Sequence, residues 1–354
     1  MKKVPHVKHS QDIKKILILQ TAFIGDIILT TPLIRFVRKI YPSTDIQFLT
    51  IPSSKNILDT NPLINKLWIY DKRGKDRGIK DFLKLVILLR KERIELAIIP
   101  HRSLRSALLV FLSGIRIRIG FDKSSGAFLF TQQVNYRKTA HEVERNLHLI
   151  THSIPQKEEY ILPEIFISDE DVQIVTNWFR RKNLHLNERY ICLAPGSKWL
   201  TKRWPAHHWG TLINLFAEKG LKVVLIGAKE DKYLKDPIQQ CTHVDLIDSF
   251  GKFSVRQSAE IIRRSILLIS NDSAPTHLGV AVRTPVLTIF GSTVPSFGFY
   301  PYGSKNKVAE VNDLPCRPCT DHGKLKCPLG HFRCMIDLTP KKVFHIAMEM
   351  LYEN

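Results

Sequence analysis

Short apolar runs alternate with longer helical stretches along this chain, and the alternation limits the folds that it can adopt. The apolar runs predict buried strands, and the stretches between them predict helices. Strands that alternate with helices indicate an α/β protein with parallel sheets. We predict strands at Lys15–Leu19, Asp45–Thr50, Lys66–Tyr70, Leu96–Ile99, Ile115–Ile119, Tyr190–Leu193, Lys222–Ile226, Val244–Asp248, Leu267–Ile269 and Val286–Phe290.

The same pattern predicts two domains, for which 354 residues are enough. We predict a Rossmann-like domain at residues 1–165, a second at 166–338, and a C-terminal helix at 339–354 that could pack back on the first. Two doubly wound domains would face each other across a cleft, and such sheets bind ligands where their strands end. The predicted helices are Ile27–Ile40, Ile79–Glu92, Ser168–Lys182, Ala206–Glu218, Glu230–Gln240, Val255–Arg264, Ala274–Val282 and Pro340–Tyr352.

The formal net charge of +20 points to an anionic partner, which could be nucleic acid, an acidic membrane surface or a phosphorylated substrate. The basic residues are spread along the chain without an aromatic-interleaved pattern, so we expect no specific nucleic-acid partner. No apolar run reaches the length of a membrane span. Asp12, Lys14 and Lys15 interrupt any secretion signal. We therefore expect a cytoplasmic protein, and anionic lipid could still attract its charge.

A lone carboxylate follows the first predicted strand, in the stretch "QTAFIGDIILTTPL". Asp26 lies where this strand gives way to a helix. An acid in the first turn of a helix stabilises it by capping free N–H groups. A carboxylate at the end of a strand can also act as a general base towards a bound hydroxyl. The sequence leaves both roles open.

The first loop of the second predicted domain, "LAPGSKWLTKRWP", combines a glycine, a hydroxyl and cations. Backbone N–H groups at Gly196 and Ser197 could bind phosphate oxygens, and Lys202 adds positive charge. Two further stretches follow strands in the same half, "VVLIGAKEDKYL" and "LLISNDSAPTHLGVAV". They contribute an acid that could bind ribose or cap a helix, and a polar helix start that suits a diphosphate. Their candidate residues are Glu230, Asp272, Ser273 and His277.

Four stretches of the chain, taken in order, resemble the ADP-heptose:lipopolysaccharide heptosyltransferases of glycosyltransferase family 9. The stretches are "ILILQTAFIGDIILTTPL", "APGSKWLTKRWP", "SNDSAPTHL" and "FGSTVPSFGF". The resemblance covers the chain from about Lys15 to Tyr352, and the region around "PCRPC" is most similar to the type II enzymes. Pro275 and Thr276 depart from the small residues that many relatives have before the histidine.

The resemblance implies a GT-B fold, an enzyme at the inner face of the inner membrane, and inversion at the anomeric carbon with no cofactor or catalytic metal. It implies that Asp26 is the catalytic base and that Lys202 offsets charge on the leaving ADP. It places Ser197 and Lys202 at the donor diphosphate, with the backbone amides that follow Asp272, beginning at Ser273, and His277 near the phosphates. Glu230 would bind the adenosine ribose, and Asp272 would bind the donor heptose.

The implied acceptor is a Kdo/heptose-lipid A molecule, which carries carboxylates and phosphates. Arginine binds both groups through paired hydrogen bonds. Basic residues in or near the loops of the first domain could therefore hold the acceptor, or could simply form a solvated basic face. The candidates are Arg102, Arg105, Arg118, His141 and Arg145.

Four of the six cysteines, Cys316, Cys319, Cys327 and Cys334, lie close together near the C-terminus. A C-x-x-C pair followed by two more cysteines can form a structural zinc site, although the later spacing is looser than usual. Free thiols in a long loop are the alternative. We expect no catalytic role for them.

Three other functions remain open from the sequence. The chain could be a GT-B glycosyltransferase that uses a different nucleotide sugar, or an epimerase of similar fold. It could also bind sugar nucleotides or lipopolysaccharide without catalysis. Turnover distinguishes the enzymes from the binding protein.

Overall fold

The computed structural model describes residues 13–152, 160–185 and 188–353. The chain forms two compact units, Met1–Pro163 and Glu164–Asn354, so their boundary falls two residues before the predicted one. Asp12, residues 153–159 and residues 186–187 lie outside the described residues. Among the described residues, no helix has both the length and the apolar content that crossing a bilayer requires.

The first unit contains one parallel sheet in the strand order β3-β2-β1-β4-β5-β6. Its strands are β1 (Lys15–Leu19), β2 (Asp45–Thr50), β3 (Lys66–Ile69), β4 (Leu96–Ile99), β5 (Ile117–Phe121) and β6 (Gln132–Val134). Its helices are α1 (Ile24–Ile28), α2 (Thr31–Ile40), α3 (Lys55–Leu58), α4 (Ile79–Lys91), α5 (Leu104–Leu112) and α6 (Glu142–Thr151).

The second unit repeats this topology in the order β12-β11-β10-β7-β8-β9. Its strands are β7 (Tyr190–Ala194), β8 (Lys222–Leu225), β9 (Ile247–Asp248), β10 (Leu267–Asn271), β11 (Val286–Ile289) and β12 (Lys307–Ala309). Its helices are α7 (Asp169–Arg181), α8 (Ala206–Ala217), α9 (Lys235–Gln239), α10 (Val255–Arg264), α11 (Ala274–Ala281), α12 (Arg333–Ile336) and α13 (Pro340–Tyr352).

Both sheets reverse their strand order next to the first strand of the unit, between β1 and β4 in one and between β7 and β10 in the other. The central strands are almost wholly buried because their residues are apolar on both faces. Ligands of doubly wound sheets bind at such reversal points, outside the carboxyl ends of the strands. We call the edges where these strands end, at Leu19 and Ile99 and at Ala194 and Asn271, the first and second carboxyl edges.

The predicted helix Ile27–Ile40 is wrong in its boundaries, because the chain forms α1 and α2 with a break between them. Pro32 has no N–H group to bond the carbonyl of Ile28. The hydroxyl of Thr31 bonds that carbonyl instead, at 2.7 Å, and the hydroxyl of Thr30 bonds the carbonyl of Asp26. The two threonines therefore satisfy backbone groups where the helix is interrupted.

The C-terminal helix α13 forms at the predicted residues, and its apolar face belongs to the core of the second unit. Val343, Ala347 and Met350 are buried in the cluster that also contains Trp209 and Phe216 of α8. This unit therefore includes the segment that the sequence suggested as a separate element.

Candidate functional site

Asp26 follows β1 at the first carboxyl edge, in the first turn of α1. Its carboxylate accepts a hydrogen bond of 3.1 Å from the N–H of Phe23, which is the residue before the helix. The capping interpretation is thus confirmed as one role of this side chain. Asp26 is only half-buried, so capping leaves its carboxylate within reach of solvent at the place where ligands of such sheets bind.

A second carboxylate, which the sequence did not single out, lies near Asp26. Glu142 begins α6, is 6% exposed, and accepts a hydrogen bond of 2.9 Å from Nη1 of Arg145. Burial and the nearby charge of Asp26 raise the pKa of Glu142 to about 7, against the lowering effects of Arg145 and Arg102. A buried acid with a pKa near neutrality is typical of functional sites.

The predicted acceptor residues His141 and Arg145 both hold this second carboxylate in place. His141 caps α6 by accepting the N–H of Val143 at 3.2 Å, which fixes the start of the helix. Arg145 is 2% exposed and donates to Oη of Tyr136 at 3.0 Å and to the carbonyls of residues 137 and 138. Both side chains are buried, so their main contacts are with the protein.

Arg102 and Arg105 lie at the same edge as Lys72 and Arg73, two cations that the sequence analysis missed. The guanidinium of Arg102 lies 4.2 Å from the ring centroid of Tyr136, and Nε of Arg105 donates to Oη of Tyr70 at 2.5 Å. Nζ of Lys72 donates to Thr21 at 3.0 Å. Burial, together with the charges of Arg73 and Arg105, lowers the pKa of Lys72 to about 8. This accumulation of positive charge suits an anionic ligand.

Arg118 is not brought together with these residues. It is the second residue of β5, and the strand ends three residues later, so Arg118 lies away from the carboxyl edge. Its guanidinium donates to the carbonyls of Leu129 and Ile115 and lies over the ring of Phe111. These contacts hold neighbouring segments together, and the candidate site does not include Arg118.

The second carboxyl edge brings together the loops that follow β7 and β10. Asn271 donates through Nδ2 to the carbonyl of Pro195 at 2.7 Å and accepts the N–H of Trp204 at 3.2 Å. The hydroxyl of Ser273 lies within hydrogen-bonding distance of the carbonyls of Gly196 and Asn271. The two loops that the sequence predicted to bind a nucleotide sugar are therefore joined directly.

Lys202 and Asp272 form the central ion pair of this edge. Nζ of Lys202 donates to Oδ2 of Asp272 at 2.6 Å, and the hydroxyl of Thr293 donates to the same oxygen at 2.6 Å. The two side chains are 13% and 7% exposed, so the pair is largely withdrawn from solvent. Removal of either partner would leave an uncompensated charge withdrawn from solvent, which is costly.

Gly196 allows the loop after β7 to approach an acid that the sequence analysis missed. A Cβ atom at Gly196 would lie 2.4 Å from the carboxylate of Asp231, whose Oδ2 accepts the N–H of Ala228 at 2.9 Å. Arg203 donates to the carbonyl of Ser197 at 2.5 Å. The predicted ribose ligand, Glu230, is exposed on the turn just before Asp231.

His277 is buried in the first half of α11, and its Nδ1 has no hydrogen-bond partner among the described residues. Burial and the nearby charge of Lys202 lower the pKa of His277 to about 3. The imidazole is therefore neutral at physiological pH, and it can donate from one ring nitrogen and accept at the other. A ligand at this edge could form a hydrogen bond with the unpartnered nitrogen.

The low pKa of His277 predicts a loss of stability in acid. An unfolded histidine binds a proton below about pH 6.5, whereas His277 stays neutral in the fold down to about pH 3, so acid favours unfolding through this window. Replacing His277 by Gln should reduce the difference in unfolding free energy between pH 7.5 and pH 5 by about 2 kcal/mol. Urea titrations followed by tryptophan fluorescence measure this, because four of the five tryptophans lie in the second unit. An unchanged difference would contradict the prediction.

The four clustered cysteines are free thiols, with Cys334 buried. Burial raises the pKa of Cys334 to about 11, and Sγ of Cys319 donates to the carbonyl of Ser292 at 3.8 Å. Within the described parts of the chain, no group of three or more His, Cys, Asp or Glu side chains is arranged to hold a metal ion. A structural metal at these cysteines stays a hypothesis from the sequence.

Comparisons with known proteins agree with this topology. The sequence profile described as Glycosyltransferase family 9 (heptosyltransferase) matches residues 82–329, more than half of the chain. Lipopolysaccharide heptosyltransferase 3 of Escherichia coli is 28% identical over 325 residues, which cover 86% of this chain and 92% of the relative.

Two solved structures are similar over nearly the whole chain. A family 9 glycosyltransferase from Veillonella parvula has a TM-score of 0.87 with 22% identity, covering 96% of this chain and 98% of its own. Heptosyltransferase II of E. coli, an ADP-heptose enzyme, has a TM-score of 0.79 with 22% identity, covering 96% and 99%. These similarities confirm the predicted GT-B fold class. Together with the profile match, they show that the chain is a glycosyltransferase that belongs to family 9, the heptosyltransferase family.

Proposed function

We propose that this glycosyltransferase transfers L-glycero-D-manno-heptose from ADP-heptose to the inner core of lipopolysaccharide. The observation that carries the proposal is the arrangement at the second carboxyl edge. There the ion pair of Lys202 and Asp272 lies beside the unpartnered nitrogen of buried His277, at the reversal point of the sheet. An anionic sugar nucleotide would supply acceptors for the cation and the imidazole N–H, and hydroxyls for the carboxylate.

The donor diphosphate would lie against the loop after β7 and the start of α11. Backbone N–H groups at Gly196, Ser197 and Ser273 are suited to phosphate oxygens at such a helix terminus. Pro275 removes one N–H group from the first turn of α11, which increases the importance of the side chains of His277 and Lys202. We assign the heptose hydroxyls to Asp272 and the adenosine ribose to exposed Glu230.

The acceptor would bind at the first carboxyl edge, where Lys72, Arg73, Arg102 and Arg105 concentrate positive charge. Core carboxylates and phosphates are the complementary groups. His141 and Arg145 then contribute by holding Glu142 and Tyr136. The net charge of +20 also supports contact with an anionic membrane surface, to which a lipid A acceptor is anchored.

In the proposed reaction, Asp26 accepts the proton of an acceptor hydroxyl while the hydroxyl oxygen attacks the anomeric carbon. The bond between that carbon and the diphosphate oxygen breaks, and ADP leaves with the electron pair. A single displacement of this kind inverts the anomeric configuration. Lys202 stabilises the charge that develops on the leaving diphosphate, and Asp26 supplies general-base catalysis.

The resemblance of the "PCRPC" region to type II enzymes supports an acceptor that already carries one heptose. The test incubates the full chain with ADP-heptose and, separately, with Kdo2-lipid A and its mono- and di-heptosylated forms. ADP release and product mass are measured together. We expect one heptose to be added to the mono-heptosylated acceptor, with little transfer to the other two.

Two other outcomes would revise this assignment. Transfer to one of the other acceptors would keep heptose transfer and change the step. Donor binding without transfer to any acceptor would contradict the proposed substrate. ADP-heptose incubated without acceptor is the control for simple hydrolysis.

A further inference from the structure

Glu142 is a buried acid for which the proposed reaction has no role. Its side chain is 8% exposed and lies at the start of α6, at the first carboxyl edge. A carboxyl group rarely stays buried in this way unless its partners or its function keep it there.

The packing of α6 explains why Glu142 lies near Asp26. Nδ2 of Asn146 donates to the carbonyl of Leu29 at 3.1 Å, which ties α6 to the segment after α1. Asn146 lies one helical turn after Glu142, and Leu29 lies about one turn after Asp26. The hydrogen bond thus aligns the two helix starts, and each carries its carboxylate on the first turn.

Charged and titratable groups face Glu142 from four segments. Asp26 lies on α1, Arg145 on α6, Arg102 in the loop before α5, and Tyr136 in the loop after β6. Four hydrogen bonds fix the guanidinium of Arg145, to Glu142, Tyr136 and the two carbonyls described above. The carboxylates of Asp26 and Glu142 therefore lie near two arginines, and Glu142 is held where its charge acts on Asp26.

We propose that Glu142 is a positioning residue whose ionised carboxylate makes Asp26 a stronger base towards the acceptor proton. This inference rests on the proposed role of Asp26 as the general base. When Glu142 is protonated, the negative potential at Asp26 falls and the base becomes weaker. Glu142 then adjusts the reactivity of Asp26 without contacting the acceptor.

The physical basis is the reciprocity of charge coupling. The charge of Asp26 disfavours ionisation of Glu142, so the charge of Glu142 must favour protonation of Asp26 by the same free energy. A carboxylate with greater proton affinity is a more effective general base at neutral pH. Because the pKa of Glu142 is raised to about 7, this coupling changes within the pH range in which an enzyme works.

The test is the pH dependence of kcat/KM for heptose transfer between pH 5.5 and 9. The natural chain should show a rise centred near pH 7. Glu142→Gln resembles the protonated state, so it should match the natural chain at pH 5.5 and lack the rise. At pH 8.5 it should fall roughly 3- to 10-fold below the natural chain, as expected for coupling of about one pK unit or more.

Two further variants separate this role from a structural one. Glu142→Asp keeps the carboxylate and should restore the rise, even if the turn of α6 shifts slightly. Glu144→Gln removes the same charge two residues away, where the carboxylate accepts the N–H of His141, and it should keep the rise. A thermal midpoint for each variant checks that the fold is intact.

Two results would overturn the inference: a Glu142→Gln profile that superimposes on that of the natural chain, or one lowered equally at every pH. Asp26→Asn, assayed in parallel, distinguishes these from failure of the proposed mechanism. If Asp26→Asn is inactive while Glu142→Gln behaves as the natural chain, only the role of Glu142 is wrong. If Asp26→Asn keeps full turnover, the general base and the inference both fall.

Discussion

Replacing Asp26 by Asn should lower kcat by about 10²- to 10⁴-fold while the affinity for ADP-heptose stays nearly unchanged. An amide cannot take the proton of the attacking hydroxyl. Its oxygen can still accept the N–H of Phe23, so the start of α1 should be preserved. Initial rates of ADP release at saturating donor and acceptor give kcat, and calorimetric titration of ADP gives the donor-side affinity.

This prediction separates the two roles that the sequence left open for Asp26. A residue that only caps a helix contributes about 0.5–2 kcal/mol to stability and nothing to the chemical step. Asp45→Asn is a matched control, because Asp45 is the first residue of β2 and lies at the opposite edge of the same sheet. The control should turn over normally. Normal turnover of Asp26→Asn would leave capping as its sole role.

The strands were predictable because buried parallel strands have continuous apolar sequences. β1, β2 and β4 have the predicted boundaries, and the positions of Asp26 and Asp272 follow from where β1 and β10 end. The short edge strands β6 and β12 were missed. Their three residues carry too little apolar pattern to be distinguished from loops.

The partners of the site residues could not be predicted, since they depend on contacts between distant parts of the chain. Lys202 and Asp272 are 70 residues apart. Glu142 lies near Asp26 because α6 packs on α2 and bonds through Asn146 to Leu29, just after α1. Arg118 shows the converse problem. A shift of two residues in the start of β5 places its side chain away from the carboxyl edge. Spacing identified the loops, and three-dimensional packing decided which side chains meet.

Replacing Lys202 by Met should lower kcat at saturating donor by about 10²- to 10³-fold, comparable to the loss of one donor to a developing oxyanion. The side chain would keep its apolar length and lose the charge that stabilises the leaving diphosphate. Lys202→Arg keeps a cation beside Asp272 and should retain most of the turnover. The measurement is single-turnover transfer with preformed complex of enzyme and ADP-heptose, which reports the chemical step rather than donor binding.

The same substitution should also destabilise the second unit, and this effect must be separated from catalysis. Removing Lys202 leaves the carboxylate of Asp272, 7% exposed, with the hydroxyl of Thr293 but without its cation. Breaking a buried ion pair costs about 3–5 kcal/mol. Adding Asp272→Asn removes the uncompensated charge, so the double variant should regain much of the thermal midpoint without regaining turnover. If Lys202→Met is destabilised yet its folded fraction transfers heptose at the normal rate, Lys202 serves the fold and the leaving-group role is wrong.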